Sequence, residues 1–396
     1  MIAVTHALSE ILARARQLPP ESVPLAAALD RILRTPARAD ADSPPFDASA
    51  MDGYALRRDD PAVSLRVIGA SQAGAAFAGV INPGECVRIF TGAPVPAGAD
   101  CVVKQEDVSR EGDNVRITNK VSGPTHIRRR GENRRRGDLV VPAGTRLGPP
   151  ELAALAGAGI AQPEVTRRPR CVHLVTGNEL VAPDQIPTGA QIRDSNSTLV
   201  AALLQRHGAD LVAQIRVPDQ LDAARTMSDT LPAHDLLLIS GGASVGDHDI
   251  ARPLLEALGY TLHFQQVNLR PGKPLAFASH GDHLAFALPG NPVSHWVVFQ
   301  LFVGPLLRFL QTGQTAPPDH LIGLLAAETR LLSAEARQTF LPCRATLNRG
   351  LYELTPVPLV SSGDSSGLMG ANALLQIPAP PGKLLPGQTA AFLYCP

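Results

Sequence analysis

Net charge is the first property that the sequence lacks. Its 36 Lys and Arg residues are balanced by 36 Asp and Glu residues. Proteins that bind nucleic acid or an anionic membrane over a broad surface usually carry a clear excess of positive charge. General binding to nucleic acid or to a membrane surface is therefore disfavoured, and any anion that the protein handles must be bound locally.

Paired cysteines and long apolar runs are also missing. The five cysteines are odd in number and far apart, and no C-x-x-C occurs, which argues against a disulfide framework and a thiolate zinc site. No stretch approaches eighteen uninterrupted apolar residues, and residues 1–18 carry charges where a signal peptide would be apolar. These absences favour a soluble cytoplasmic protein.

Several common catalytic motifs are absent too. The sequence contains no H-E-x-x-H zinc motif, no G-x-S-x-G elbow and no Walker loop. His280 and His283 flank a predicted hairpin turn and are interpreted as structural. With 396 residues, 44% of them hydrophobic, the chain is long enough for two to four domains with buried cores.

The first part of the chain changes its pattern twice. Apolar residues at helical spacing predict helices over residues 5–17, with Thr5 as a candidate N-cap, and over residues 24–32. Short β-type runs separated by Gly and Pro then predict a small, mostly antiparallel β domain over residues 46–136, with a barrel as one form. Residues 137–168 resemble the opening region again. We therefore expect a split N-terminal domain, residues 1–45 and 137–168, with the β domain inserted into it.

Strands and helices alternate over residues 169–316. This alternation predicts a parallel sheet wound on both faces, in which ligands bind at the carboxyl ends of the strands. Residues 317–396 lack the alternation and predict a small C-terminal β domain. The predicted strands of the α/β domain are 171–175, 211–216, 236–240, 262–267 and 284–288, and the predicted helices are 197–207, 220–231, 250–258 and 293–309.

Three loops that follow strands of the α/β domain contain the residues most typical of a ligand site. They read T-G-N-E-L at 176–180, S-G-G-A-S-V-G-D-H-D at 240–249 and L-P-G-N-P-V at 288–293. Glycine after a strand lets backbone N–H groups approach a phosphate or another oxyanion, next to a helix N-terminus. Each loop alone is more typical of a tight turn, but three at one sheet edge favour an anion site.

A fourth loop and several carboxylates extend the predicted site. Arg270 and Lys273 are held in R-P-G-K-P at 270–274, which alone is as typical of a solvated turn as of a stiff anion clamp. Beside the three glycine-containing loops, the clamp is favoured. Hard oxygen ligands that face a phosphate are what magnesium requires. Some of these carboxylates, Asp194 and Asp219 above all, could equally be residues that begin a helix. The carboxylates near this edge are Glu179, Asp194, Asp219, Asp247 and Asp249.

Two segments of the predicted inserted domain are unusually polar. Residues 46–55 combine polar and aromatic side chains, and residues 126–136 read HIRRRGENRRR. Six arginines so close together usually form a solvated face or a nucleic-acid patch. The zero net charge and the lack of interleaved aromatics disfavour nucleic acid, so a small polyanionic ligand or a partner surface is the better interpretation.

Together these segments resemble the molybdopterin molybdenumtransferase family, which includes the MoeA proteins and the C-terminal domain of gephyrin. They occur in the family's order and spacing over nearly the whole chain. The matching segments are FDASAMDGYA at 46–55, IFTGAPVPAGADCVVKQED at 89–107, IRRRGEN at 127–133, PAGTRL at 142–147, TGNEL at 176–180, SGGASVGDHD at 240–249, RPGKP at 270–274 and LPGNPVS at 288–294.

The resemblance implies a multidomain α/β plus β fold: a split elongated N-terminal domain, an inserted β domain, a doubly wound molybdopterin-binding domain and a small C-terminal β-barrel-like domain. It also implies a homodimer, in which each cleft combines the α/β domain of one subunit with the inserted domain of the other. The implied reaction is transfer of molybdate, the substrate, to adenylylated molybdopterin with release of AMP, using Mg²⁺. The molybdopterin adenylyltransferase and downstream cofactor-handling proteins are candidate partners.

The resemblance also assigns roles to individual residues. Glu179 and Asp249 would hold the metal ion. The catalytic residues that it implies are Asp52, Glu179, Asp219 and Asp249. The substrate-binding residues that it implies are Thr91, Ser240, Gly241, Gly242, Ser244, Arg270, Lys273, Pro289 and Pro292.

Three positions depart from the family pattern. Asn133, Asn178 and Gln220 stand where the family usually has an acid, so a lower metal affinity is expected. These losses are the basis of an alternative hypothesis, a non-catalytic paralogue that binds molybdopterin or acts as a scaffold. A nucleotide-hydrolysing relative of the α/β domain is a third hypothesis, and it accounts for fewer of the motifs. The residue types do not separate molybdate from tungstate.

Overall fold

The computed structural model describes residues 1–119, 125–218, 230–241, 250–315, 320–326, 337–377 and 384–395. The chain forms two compact units. Unit 1 comprises residues 1–21, 30–32 and 166–396, and unit 2 comprises residues 22–29 and 33–165. The predicted four domains divide the chain more finely, and their boundaries stay a prediction.

The helical segments of the described residues are, in chain order, Val4–Leu12, the 3-10 turns Leu25–Ala27 and Gln105–Asp107, Pro149–Gly157, Asn196–Arg206, Ala251–Ala257, Pro292–Val298, the π-helical turn Phe299–Val303, Gly304–Thr312 and the 3-10 turn Ser366–Leu368. The strands are Pro20–Ser22, Ala37–Arg38, Ala48–Ser49, Gly53–Leu56, Ser64–Ser71, Glu85–Ile89, Cys101–Lys104, Val108–Glu111, Asn114–Ile117, Ile127–Arg128, Leu139–Val141, Glu164–Thr166, Arg170–Thr176, Leu180–Val181, Ile192–Arg193, Asp210–Val217, Leu236–Ser240, Thr261–Gln266, Leu269–Arg270, Pro274–His280, His283–Leu288, His320–Leu325, Gln338–Asn348, Leu351–Pro356, Ala373–Ile377 and Thr389–Tyr394.

A six-stranded sheet forms the centre of unit 1. Leu236 and Leu238 of its middle strand pack in one apolar cluster, whereas Leu237 and Ile239 pack in another. Both faces of the sheet are therefore covered, which explains why its strands are continuous apolar runs. The first four strands are parallel, as the sequence predicts. The strand order is Asp210–Val217, Arg170–Thr176, Leu236–Ser240, His283–Leu288, Pro274–His280 and Thr261–Gln266.

Strand Pro274–His280 departs from the predicted parallel pattern. It pairs antiparallel with His283–Leu288 and with Thr261–Gln266. His280 lies opposite His283, so two residues join the two strands. A two-residue turn can only connect antiparallel neighbours, which fixes the direction of this strand.

The longest apolar segment of unit 1 is helical from Pro292 to Thr312. Its π-helical turn, Phe299–Val303, is followed by Pro305, which lacks the N–H of a regular helical turn. By length and composition the segment could cross a membrane, but 78% of its most apolar window is buried inside the fold. That burial is typical of a core helix.

Two predictions about the opening region are wrong. The first helix is Val4–Leu12, and the residue before it is Ala3, so Thr5 is not its N-cap. Its buried residues belong to the same apolar cluster as helix Gly304–Thr312. Over residues 24–32 only the 3-10 turn Leu25–Ala27 forms, and Asp30 has a φ of 63°. That left-handed conformation is incompatible with a continuing right-handed helix.

A closed five-stranded barrel forms the C-terminal part of unit 1. Each strand pairs with the next, and the last pairs with the first. Closure removes the unpaired edges that an open sheet would expose. Strand Leu269–Arg270 pairs with the barrel strand Gln338–Asn348, so the barrel is joined to the α/β part. The order around the barrel is Gln338–Asn348, Leu351–Pro356, His320–Leu325, Thr389–Tyr394 and Ala373–Ile377.

Unit 2 contains a second six-stranded sheet. Only Ser64–Ser71 and Glu85–Ile89 pair in parallel, so the sheet is mostly antiparallel, as predicted. Successive residues of one strand, such as Tyr54 and Ala55, point to opposite faces of the sheet and belong to different apolar clusters. The strand order is Cys101–Lys104, Gly53–Leu56, Glu85–Ile89, Ser64–Ser71, Asn114–Ile117 and Val108–Glu111.

Residues that come before and after this sheet in the sequence pack together in a separate apolar core. Leu33 and Ala37 pack in one cluster with Val141, Leu147 and Leu155. Ala37–Arg38 also pairs with Leu139–Val141. Such a core, built by residues before and after an intervening sheet, is what an inserted domain produces.

Candidate active site

The three glycine-containing loops begin at one edge of the unit 1 sheet. They follow Arg170–Thr176, Leu236–Ser240 and His283–Leu288, which are parallel neighbours. Gly241 has a φ of +91°, and a Cβ on it would lie 2.7 Å from both the backbone oxygen and the Oγ1 of Thr176. A Cβ on Gly290 would lie 4.0 Å from the Cα of Gly241. The left-handed backbone and the lack of space at Gly241 both require glycine, whereas a Cβ on Gly290 would make an ordinary van der Waals contact.

Glu179 lies in the first of these loops. Its side chain is exposed, and its carboxylate lies close to Gly177, where a Cβ would be 2.9 Å from Oε2. Within the residues that the structure describes, no hydrogen bond or ion pair involves this carboxylate. A carboxylate that is exposed at a strand end and not engaged by the protein is available for a ligand or a cation.

Arg270 and Lys273 lie on a tight turn between two strands. Gly272 has a φ of +109°, and a Cβ there would lie 2.6 Å from Cγ2 of Val298, so the turn is packed against the core helix. Arg270 is half-buried, whereas Lys273 is exposed. The packing makes the turn stiff, as an anion clamp requires.

Ser362, which follows the barrel strand Leu351–Pro356, holds the P-G-N-P turn by two hydrogen bonds. Asn291 donates from Nδ2 to the Oγ of Ser362 over 2.8 Å, and the backbone N–H of Val293 donates to the oxygen of Ser362 over 3.1 Å. Pro289 is buried and Pro292 begins the helix Pro292–Val298. No motif of the sequence predicts the contact of Ser362 with this turn.

Ser240 directs its hydroxyl into the protein interior. The residue is 2% exposed, and its Oγ lies 2.6 Å from Nε2 of His173. Its backbone oxygen accepts a hydrogen bond from Oγ1 of Thr176. The predicted contact of Ser240 with a substrate stays a prediction, and this geometry favours a contact through the loop backbone over one through the hydroxyl.

Asp194 caps the start of a helix. This was one of two interpretations of the residue from the sequence, the other being a carboxylate of the ligand site. Its carboxylate accepts hydrogen bonds from the backbone N–H of Ser197, at 3.0 Å, and from the hydroxyl of Ser197. These bonds satisfy donors in the first turn of helix Asn196–Arg206.

Asp52 and Thr91, both in unit 2, are directly bonded. The Oδ1 of Asp52 accepts hydrogen bonds from the backbone N–H and the hydroxyl of Thr91, each over 2.7 Å. These two donors, the backbone N–H first, hold the pKa of Asp52 below its ordinary value of 3.8. The exposed carboxylate is therefore ionised at neutral pH.

The arginine cluster of residues 128–136 is partly neutralised within unit 2. Arg129 pairs with Asp47 over 2.6 Å, and Arg130 pairs with Asp42 over 2.7 Å. Asn133, at one of the three positions that depart from the family pattern, accepts a hydrogen bond from Arg128 through its Oδ1. The amide thus keeps an acceptor there although the charge is gone.

Four predicted site residues lie outside the described residues: Asp219, Gly242, Ser244 and Asp249. Gln220 and Asp247 lie outside them as well. Among the described residues, no three His, Cys, Asp or Glu side chains are placed together so that they could hold a metal ion. Magnesium is commonly held by one or two carboxylates together with substrate phosphates, so the donor set that Glu179 contributes still suits it.

Protein-family models match three successive regions of the chain. Residues 2–159 match the MoeA N-terminal region, described as domains I and II. Residues 173–308 match a "probable molybdopterin binding domain", and residues 325–394 match the MoeA C-terminal region, domain IV. The three matches define the class: a multidomain protein of the MoeA type.

Individual relatives support the same assignment. A molybdopterin molybdenumtransferase from Nostoc is 36% identical over 388 residues, covering 95% of this chain and 89% of the relative. One from Haemophilus influenzae is 33% identical over 402 residues, covering 99% and 98%. The crystal structure of a MoeA molybdopterin biosynthesis protein from Pyrococcus horikoshii superposes with a TM-score of 0.83 at 27% identity, covering 100% of this chain and 99% of that one. The chain belongs to the MoeA family of molybdopterin molybdenumtransferases.

Proposed function

We propose that this protein inserts molybdate into adenylylated molybdopterin and releases AMP, the last step of molybdenum-cofactor synthesis. The observation that carries the proposal is the convergence of three glycine-containing loops at one sheet edge in a chain of this family. Backbone N–H groups and helix N-termini at such an edge suit the phosphate groups of a nucleotide-linked pterin. The enzyme is therefore favoured over a non-catalytic scaffold.

The basic and acidic residues at this edge have different proposed roles. Lys273 and Arg270 would bind oxyanions, either of molybdate or of the substrate phosphates. Glu179 and Asp249 would hold magnesium, which supplies charge neutralisation at the phosphoanhydride when it is bound. Asp219 would orient the reacting groups, and Gly241, Gly242 and Ser244 would bring the loop backbone to the phosphates.

We further propose that the working form is a cytoplasmic homodimer. The residue types around Asp52 and Thr91 match cleft-facing positions of the family, and Asp52 is ionised and exposed. In the proposed dimer, Asp52 and Thr91 of one subunit complete the cleft that contains Glu179 of the other. An adenylyltransferase that makes the adenylylated substrate is the expected functional partner.

The direct test is incubation of the purified protein with adenylylated molybdopterin, molybdate and magnesium. AMP release that depends on molybdate is the expected result. No AMP release at any molybdate concentration would remove the catalytic proposal, and tight pterin binding without turnover would instead support the scaffold. Competition between molybdate and tungstate in the same assay decides which oxyanion is preferred.

Asp249→Ala tests the proposed metal site in the same assay. A lost charged ligand or electrostatic stabiliser commonly costs about 10²–10³-fold in rate. We expect a loss of that size in AMP release, with a circular dichroism spectrum like that of the wild type. Near-wild-type AMP release at limiting magnesium would contradict the ligand role of Asp249.

A further inference from the structure

Two buried histidines lie beneath the loops of the candidate site, and neither has a part in the proposed reaction. His173 is in strand Arg170–Thr176 and His295 is in helix Pro292–Val298, and both are 0% exposed. Imidazoles at such positions replace the apolar side chains that a strand or helix core usually contains. Most buried polar groups are hydrogen-bonded, and each of these rings has at least one hydrogen-bond partner.

The partners of His173 fix its tautomer. Gln214 donates from Nε2 to the Nδ1 of His173 over 2.9 Å and to the backbone oxygen of Ser197 over 3.1 Å. Because Nδ1 accepts, the ring proton is on Nε2, and it is donated to Oγ of Ser240 over 2.6 Å. Burial, with a smaller contribution from the nearby His295, lowers the pKa of His173 to about 3, so the ring is neutral.

Ser240 and His173 do not form a catalytic nucleophile with its general base. A base would have to accept the serine proton, whereas Nε2 of His173 carries a hydrogen and donates it. The hydroxyl of Ser240 is also directed into the interior, and the residue is only 2% exposed. The hydrogen bond fixes Ser240, the last residue of its strand, and the loop of residues 240–249 begins there.

His295 makes a corresponding contact beneath another loop. Its Nδ1 donates to the backbone oxygen of Pro289 over 3.1 Å, at the start of the P-G-N-P turn. Burial lowers the pKa of His295 to about 4, so this ring is neutral at physiological pH as well. Each histidine thus donates one ring N–H to the residue at which a strand passes into a site loop.

We propose that His173 is a positioning residue for substrate binding, because its Nε2–H to Ser240 Oγ bond sets the position of Ser240 and of Gly241 directly after it. The proposal rests on the proposed function in one respect, namely that the backbone at Gly241 contacts the nucleotide-linked pterin. Gly241 follows Ser240 directly and lies beside Thr176, where even a Cβ would have no room, so a shift of Ser240 changes the position of Gly241 in a confined space. His295 acts in the same way on the P-G-N-P turn.

Two amide substitutions separate the donor from the rest of the side chain. In His173→Gln, the amide nitrogen is as many bonds from Cβ as Nε2 of histidine, so the donor to Ser240 is retained. In His173→Asn, the nitrogen corresponds to Nδ1 and cannot reach Ser240. Loss of a buried hydrogen bond typically corresponds to about a tenfold change in an equilibrium. We expect Kd and KM for the adenylylated pterin to rise about tenfold in His173→Asn and less than about threefold in His173→Gln, with kcat little changed.

The control is another imidazole–serine pair in the same sheet. His263 lies 2.8 Å from the Oγ of Ser279 through its Nε2, on strands away from the three loops. His263→Asn removes that bond, and it should leave the Kd for the pterin unchanged. If His173→Asn fails to fold, Ser240→Ala removes the same bond from its other end and should raise Kd by a similar factor.

A spectroscopic readout is independent of turnover. Imidazole ¹⁵N shifts of the wild type should show a protonated Nε2 and an unprotonated Nδ1 for His173, and Gln214→Leu should produce a mixture of tautomers. Equal Kd values in the Asn and Gln variants, or a protonated Nδ1 in the wild type, would overturn the proposal. Absence of AMP release with the expected Kd pattern would instead refute the proposed function and leave the positioning role in place.

Discussion

At the scale of single residues, the hydrogen-bond partner of each carboxylate decides what it can do. Asp194 is engaged by the first turn of a helix, whereas Glu179 is exposed at the strand end and available to a ligand. Asp52 lies between these cases, since Thr91 engages only its Oδ1. The same functional group, a carboxylate, therefore caps a helix at Asp194, is a candidate ligand at Glu179 and is a charged group of fixed orientation at Asp52.

The two hydrogen bonds from Thr91 lower the pKa of Asp52, and this effect can be measured. Thr91→Val removes the hydroxyl donor but keeps the backbone N–H, so the pKa of Asp52 should rise and still stay below 3.8, its ordinary value. A ¹³C titration of the Asp52 carboxyl group by NMR would record the shift. Thr91→Ser keeps both donors and is the matched control. A pKa in Thr91→Val equal to that of the wild type would show that the hydroxyl bond is not formed in solution.

At the scale of secondary-structure elements, one ion pair holds the amino ends of the parallel strands. Arg167 donates from both terminal nitrogens to Asp235, over 2.7 and 2.5 Å, and the backbone N–H of Arg170 donates to the same carboxylate over 2.8 Å. Asp235 directly precedes strand Leu236–Ser240. Burial alone would raise its pKa, but the bonds from Arg167 and Arg170 outweigh burial and lower it.

The effect of this pair on stability should depend on pH. Because the folded-state pKa of Asp235 is lowered, its stabilisation is present above about pH 4 and is lost as the pH falls through the folded value. Arg167→Met leaves a half-buried carboxylate unpaired, which should cost about 2 kcal/mol in free energy of unfolding at pH 7. Urea unfolding at pH 7 and pH 3 would measure the difference, which should shrink at the lower pH.

Arg168→Met is the control for that comparison. Arg168 pairs with Asp210 over 3.5 Å at the surface, where an ion pair contributes about 0–1 kcal/mol. Its loss should change the unfolding free energy little at either pH. A difference for Arg167→Met that is as small, or that grows at low pH, would contradict the role assigned to Asp235.

At the scale of the whole molecule, the proposed shared cleft makes catalysis depend on two subunits. Mixing Asp52→Ala with Glu179→Ala protein should restore part of the AMP release, because a heterodimer contains one cleft with both lesions and one with neither. Random exchange makes about half of the dimers mixed, so up to roughly a quarter of all clefts would be intact under two-fold symmetry. Differently tagged chains would first establish that subunits exchange. With exchange shown, activity no higher than that of either single variant would mean that the cleft is built within one chain.

The sequence by itself determined the fold class and the family, because both depend on local patterns. Strand–helix alternation predicted the parallel sheet, and strands Arg170–Thr176 and Leu236–Ser240 and helix Asn196–Arg206 formed where the sequence pattern placed them. The order of the loop motifs identified the family without any contact being known. Turn chemistry likewise predicted the hairpin between His280 and His283.

Only the tertiary structure decided which side chains face a ligand and which support the loops. The hydroxyl of Ser240 faces the interior because His173, on the neighbouring strand, provides a donor there, and nothing in the motif S-G-G indicates this partner. Residues 24–32 have helical spacing, yet Asp30 is left-handed and no α-helix forms there. In both cases the local sequence pattern limits the secondary structures that a segment can form. The partner of a buried polar group and the backbone conformation of a packed turn depend instead on residues that are distant in the sequence.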